Sequence, residues 1–216
     1  MLLHGWGASG KLMMPIATTL KGYRYIIPDF YGFGNSPHPD YPLSVEDYVL
    51  GVLEILKIEN IQRADFIAHS FGGRVCIDIC VKYPELVNRV VLCDSAGILP
   101  KRSVKYYVKV WFYKILKRFK FNTEKFGSKE YRELSPVMRK TFVNVVNYNQ
   151  KPLLKEIRAK TLIVWGEDDK TTPIYMAKIL HENIKGSEIK VLKNAGHFAY
   201  ADELRKFCKA VKQFLG

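Results

Sequence analysis

The chain has 216 residues, enough for one domain, or one domain with a modest insertion, and for a sizeable core. Apolar residues make up 48% and charged residues 25%, which excludes a disordered, collagen-like or disulfide-scaffold protein. The net charge of +13 is unevenly placed: residues 100–158 carry 16 Lys or Arg against 4 Glu, and the remainder carries 18 against 17. Such a composition shift marks an inserted module. No apolar run approaches the roughly 18 residues that span a bilayer. Met1-Leu2-Leu3-His4 has no basic lead and no long apolar stretch, so it does not read as a signal peptide. The four cysteines (Cys76, Cys80, Cys93, Cys208) lack metal-ligand spacing and are expected to be reduced thiols in a cytoplasmic protein. Cys76 and Cys80, four apart on one helix, have no second ligand pair and read as core packing.

In chain order, Tyr25-Ile26-Ile27 reads as a strand, and residues 44–56 as a helix with Ser44 as N-cap and Asp47 three residues on. Phe66-Ile67-Ala68 predicts a strand, residues 71–82 a helix, and Val90-Val91-Leu92 a further strand. The basic segment then breaks the alternation. Residues 103–121 predict one long helix, with Val104, Val108, Trp111, Ile115 and Phe119 at steps of three or four. Arg102, Lys105, Lys109, Lys117 and Lys120 fall largely on another side of it, and a second helix is expected over residues 135–147. Leu162-Ile163-Val164 is a strand, residues 173–183 a helix with Pro173 in its first turn, Ile189-Lys190-Val191 the last strand, and residues 201–214 the last helix. Short unbroken apolar runs are what strands covered on both faces require. Strand–helix alternation therefore predicts an α/β fold with a doubly wound, mostly parallel sheet, built from residues 1–99 and 159–216, with a helical cap at residues 100–158.

The cap admits two readings. The plain one is a solvated lysine-rich face over an apolar floor. The sharper one makes Trp111, Phe112, Tyr113, Leu116 and Phe119, flanked by lysines, an interfacial surface. Such a surface would hold the protein at an anionic membrane or draw anionic acyl substrates toward the pocket, with Trp111 as a substrate contact. No nucleic-acid motif accompanies the charge, so nucleic acid is not an expected partner.

The stretch richest in chemistry is Asp65-Phe66-Ile67-Ala68-His69-Ser70-Phe71-Gly72-Gly73. A strand delivers Ser70 into a sharp turn and a helix follows at once. Ala68 and Gly72 are small enough for the backbone to turn tightly, presenting the hydroxyl above the sheet at a helix N-terminus. Alone, a small-x-Ser-x-small string is common in loops; its place between strand and helix is what raises it. A serine hydroxyl needs a base and an orienting acid. Of the five histidines, His197 follows the last strand in Asn194-Ala195-Gly196-His197-Phe198, where a loop at the C-terminal sheet edge would bring it, and it is the expected base. His69, beside Ser70, is expected to leave the strand in a different direction. For the acid, Trp165-Gly166-Glu167-Asp168-Asp169 follows another strand at the same edge, and either aspartate satisfies the requirement.

These residues, with two further motifs, resemble the α/β-hydrolase fold superfamily in its branch with a helical cap. His4-Gly5-Trp6-Gly7 is similar to the family's His-Gly-x-Gly turn, and Asp29-Phe30-Tyr31-Gly32-Phe33-Gly34-Asn35-Ser36 to its Asp-x-x-Gly-x-Gly-x-Ser loop. The latter lacks the third glycine and the Lys-Ser/Thr of a phosphate cradle. Ala68-His69-Ser70-Phe71-Gly72-Gly73 resembles the nucleophile elbow, with alanine where glycine is commoner. Gly166-Glu167-Asp168-Asp169 resembles Gly-x-x-Asp, whose last aspartate is the triad acid, and this selects Asp169. The resemblance implies a Ser70–His197–Asp169 triad, the N–H groups of Trp6 and Phe71 as oxyanion donors, and His4 as a structural brace.

The implied activity is hydrolysis of a small-molecule carboxylic ester or thioester through an acyl-enzyme, without metal or cofactor. A carbon–carbon bond hydrolase or lyase with the same triad, and a non-catalytic hydrolase-like binding protein, are the alternatives. Aspartate-nucleophile relatives such as haloalkane dehalogenases are disfavoured by the serine. In the resembled family the His-Gly-x-Gly turn ends the third strand. The expectation is therefore that roughly 20 or more residues, carrying two strands, lie upstream of Met1, and that residues 1–216 alone fold poorly.

Overall fold

The computed structural model describes residues 1–101 and 129–216. Five parallel strands lie in chain order across one sheet: β1 (Leu2–Leu3), β2 (Ala64–His69), β3 (Val87–Cys93), β4 (Lys160–Gly166) and β5 (Glu188–Leu192). The pairing Ile67↔Val91 and Val91↔Leu162 keeps the apolar runs in register. Because side chains alternate across a strand, each run serves two cores. Phe66, Ala68, Val90, Leu92, Ile163 and Trp165 face one, and Ile67, Val91, Cys93, Leu162 and Val164 the other. Helices α2 (Val45–Ile58), α3 (Phe71–Lys82) and α6 (Tyr175–Asn183) cover the first face; α1 (Met14–Thr19) and α8 (Leu204–Leu215) cover the second. That is the doubly wound parallel arrangement the alternation predicts. The four cysteines are buried and free, Cys76 and Cys80 in the first core, Cys93 and Cys208 in the second. Among the described residues no helix is long and apolar enough to cross a membrane.

Helix starts follow the capping chemistry. Ser44 and Asp47 form a reciprocal capping box at the head of α2, each side chain accepting from the other's backbone N–H. Two expectations need correction. Tyr25-Ile26-Ile27 is not a strand: a single backbone bond, Leu2 N–H to the Ile26 carbonyl at 2.9 Å, links it to β1. With β1 only two residues long, there is no further ladder for it to join. The last helix is broken in two, α7 (Ala199–Asp202) and α8, because Glu203 leaves helical geometry at φ −128°, ψ 47°.

The helix expected over residues 103–121, Trp111 and the interfacial surface built on it lie outside the described residues. The end of the basic segment is described. It forms α4 (Lys129–Glu133), α5 (Pro136–Asn147, capped by Ser135) and a 3₁₀ turn over Lys151–Glu156. It is fastened to the core by α5 and by the residues that follow it. Leu43 N–H donates to Thr141 Oγ1 at 3.0 Å, and Asn144 Nδ2 donates back to the Leu43 carbonyl at 3.1 Å. Beyond α5, Arg74 donates to the Tyr148 carbonyl at 2.5 Å, and Gln150 Nε2 donates to Asp78 at 2.6 Å. Arg74 and Asp78 are buried on α3, so these contacts grip the helix that begins at Ser70.

At the far end of β4 the backbone is packed to contact. A Cβ on Gly166 would stand 2.1 Å from the Gly196 carbonyl oxygen and 2.5 Å from that of Ala195. Both obstacles are backbone and neither rotates away. Gly166→Ala is expected to destabilise the fold by about 1–3 kcal/mol, the usual range for overpacking. The check is a melting temperature several degrees lower; an unchanged value would show that the two loops separate freely.

Candidate active site

Ser70 stands between β2 and α3 with φ 49° and ψ −111°, a conformation rare for a residue with a side chain. Three backbone bonds hold it there. Ser70 N–H donates to the Cys93 carbonyl (3.1 Å), and the Ser70 carbonyl accepts from Gly73 (3.0 Å) and Ala96 (2.9 Å). A Cβ on Gly72 would come within 2.5 Å of the Leu3 carbonyl oxygen, so the elbow is pressed against the end of β1. That contact sets the turn after β1 beside Ser70: Gly72 N–H donates to the His4 carbonyl at 3.1 Å. His4 braces the turn as expected. Its Nε2 accepts from Phe30 N–H (3.0 Å), which leaves the proton on Nδ1 to reach the Gly5 carbonyl (2.8 Å). Burial lowers the His4 pKa and keeps it neutral.

The Asp29 loop is likewise structural. Its carboxylate accepts from Gly10 N–H (2.6 Å) and Asn35 N–H (2.8 Å), and these donors outweigh burial to lower its pKa.

The three side chains assigned from sequence meet. His197 Nε2 lies 3.0 Å from Ser70 Oγ, and His197 Nδ1 lies 2.9 Å from Asp169 Oδ2. Asp168, the other candidate acid, makes no such contact among the described residues; its N–H donates to the Ala195 carbonyl at 2.9 Å. Asp169 Oδ1 accepts from Thr171 N–H (2.7 Å) and Thr172 N–H (2.9 Å), and Oδ2 from the Thr172 hydroxyl (2.6 Å). Burial alone would raise its pKa; His197 and Thr172 overcome this and hold it below the ordinary value. The turn carrying it is pinned from below, where the buried Trp165 indole donates to the Thr172 carbonyl at 2.7 Å.

An ionised carboxylate on Nδ1–H leaves Nε2 bare, facing a serine hydroxyl. That arrangement can take the hydroxyl proton as Oγ attacks a carbonyl. The N–H groups of Trp6 and Phe71, one on each side of the Gly72 contact, have no acceptor among the described residues and can receive negative charge. Among the described residues no group of three or more His, Cys, Asp or Glu side chains is placed to hold a metal ion.

Two residues of the site escaped the sequence reading. His69 does not turn away from the site. Its Nε2 lies 2.7 Å from the His197 carbonyl, and the rings are 5.0 Å apart. Burial pushes its pKa down to about 3, so it is neutral and donates from Nε2–H, tying the His197 loop to β2. Asp94, at the end of β3, is fully buried and bridges the loops that carry Asp169 and His197. Its Oδ1 accepts from Gly166 N–H (2.8 Å) and its Oδ2 from Ala199 N–H (3.0 Å).

A match to the Alpha/beta hydrolase family covers residues 1–210. The chain belongs to that family. The chain is 26% identical to 2-hydroxy-6-oxo-2,4-heptadienoate hydrolase of Pseudomonas putida, over 99% of this chain and 87% of the relative. It is equally similar, at 26%, to 2-hydroxymuconate semialdehyde hydrolase of a Pseudomonas species, over 100% of this chain and 86% of that one. Among solved structures, a bromoperoxidase from Bacillus anthracis superposes with a TM-score of 0.80 at 23% identity, covering 99% of this chain and 90% of that one. An esterase from Exiguobacterium antarcticum superposes at 0.79 with 22% identity and the same coverage. These superpositions establish the fold.

In this hydrolase, burial raises the Asp94 pKa from 3.8 to about 7, against the pull of its two N–H donors. The fold thus favours the protonated form. The stability this gives is complete below about pH 4 and is lost as pH rises through about 7. Asp169, shifted the opposite way, acts below that window. Asp94→Asn is expected to flatten the decline in urea-unfolding free energy between pH 4.5 and 7.5 by about 2–4 kcal/mol, since each tenfold change in proton affinity is worth roughly 1.4 kcal/mol. An unaltered pH profile would refute the assignment.

Proposed function

We propose that the chain is a serine hydrolase that cleaves a small-molecule carboxylic ester or thioester. Ser70 Oγ forms a bond to the carbonyl carbon while its proton passes to His197 Nε2. The carbonyl oxygen takes the negative charge and is stabilised by the N–H groups of Trp6 and Phe71. The bond to the leaving group then breaks, and His197 returns the proton to the departing oxygen or sulfur. Water, deprotonated by the same nitrogen, releases the acid and restores Ser70. Asp169 keeps the imidazole in the required tautomer and balances its transient charge. What carries the reading is the unbroken hydrogen-bond chain from Ser70 Oγ through both nitrogens of His197 to Asp169.

The described end of the basic segment, residues 129–158, acts in this proposal as part of a lid over Ser70. In support, Phe142 of α5 stands 5.3 Å from Trp6, whose ring is itself 5.4 Å from Phe71. The named activities of the two Pseudomonas relatives favour a second reading, carbon–carbon bond hydrolysis by the same triad.

Labelling by a fluorophosphonate probe is expected for the intact protein and absent in Ser70→Ala. Asp169→Asn, which leaves the imidazole in the wrong tautomer, is expected to lower turnover about 10,000-fold. Absence of labelling in the intact protein would overturn the enzymatic reading. Turnover of p-nitrophenyl esters of graded chain length, set against 2-hydroxy-6-oxo-2,4-heptadienoate, separates the two reactions. Faster cleavage of the dienoate than of every ester would replace the ester assignment.

A further inference from the structure

The opposite edge of the sheet, where the strands begin, carries a cavity of about 680 Å³. Seven residues of β3, at about 3.3 Å each, separate it from the Ser70 edge. Arg63 enters its wall from just before β2, Asn88 and Arg89 from β3, and Arg158 and Lys160 from the start of β4, with Phe214 of α8 as an apolar side. Among the described residues no carboxylate lines it.

Two of the four cations are held in place. Arg63 Nε donates to the Val87 carbonyl at 3.1 Å; the Arg89 guanidinium donates to the Leu215 carbonyl and has Asp65 at 3.5 Å. A guanidinium fixed through one nitrogen keeps the rest of its N–H fork aimed, which lowers the entropy lost on binding an oxyanion. Arg158 and Lys160 have neither an ion pair nor a hydrogen-bond partner among the described residues. Among the described residues the four cations have one carboxylate partner, Asp65, which leaves three positive charges around one cleft. A carboxylate ligand would offset one of them, a phosphate dianion two. The volume exceeds what a bare phosphate fills and suits a phosphate with an organic group attached.

We propose that this cleft binds a soluble phosphorylated small molecule. Arg63 and Arg89 grip its phosphate, Arg158 and Lys160 add charge at the mouth, and Phe214 packs against its organic part. The site is independent of the reaction at Ser70.

The test is calorimetric titration of the whole chain with inorganic pyrophosphate at moderate salt. Arg158→Ala/Lys160→Ala removes two exposed cations without touching the anchored arginines, so it is expected to fold. Lys178→Ala/Lys185→Ala removes equal charge outside the cleft. Saturable binding, weakened about tenfold or more in the first double variant and unchanged in the second, is the expected result. Absence of saturable binding, equal weakening in both variants, or binding to phosphatidic acid vesicles with none to pyrophosphate would each overturn it.

Discussion

Ser70 can occupy φ 49°, ψ −111° only while its neighbours hold it there, because an L-residue at such angles is strained by roughly 1–3 kcal/mol. The restraint comes from two directions. Behind the serine, its backbone is bonded to the end of β3 at Cys93 and Ala96. Beside it, Gly72 sits so close to Leu3 and His4 that the turn after β1 cannot drift. Ser70 and the N–H groups of Trp6 and Phe71 are therefore set by one packing constraint, the fit of a strand–helix elbow against a neighbouring parallel strand. Asp169 and His197 arrive separately, on loops after β4 and β5, and Asp94 joins those loops at a single buried carboxyl.

The parts of the site readable from sequence are those whose chemistry is local. Ser70 has its small neighbours two residues away; Asp169 and His197 each follow an apolar run by a few residues. Parallel strands put all three on one edge, so meeting in space followed from topology. His69 and Asp94 were not legible because what they do depends on distant partners. His69 reaches a carbonyl 128 residues away, and Asp94 reaches N–H groups 72 and 105 residues away. Tyr25-Ile26-Ile27 shows the converse error: β-branched and aromatic content suggested a strand, but a strand requires a neighbour long enough to pair with it. The break at Glu203 carries neither glycine nor proline to announce it.

Family membership and reaction are separate matters in this fold. A hydroxyl, an imidazole and a carboxylate in line will serve an ester, a thioester or an activated carbon–carbon bond. Selection falls to the groups around the reacting carbonyl. Trp6 stands beside the elbow, its ring against Phe33, Phe71 and Phe142, its buried indole N–H without a partner among the described residues.

The distribution of sulfur has a practical consequence. Every thiol is sealed inside, two on the buried side of α3 and two in the core on the opposite side of the sheet. The hydrogen bond with Cys80, aided by burial, raises the Cys76 pKa well above the ordinary range; burial does the same to Cys93 and lifts Cys208 to about 11. An alkylating reagent therefore reacts only in moments when the layer above a given sulfur lifts. Mapping which cysteine is modified first would time the breathing of each half of the molecule separately, with no label introduced.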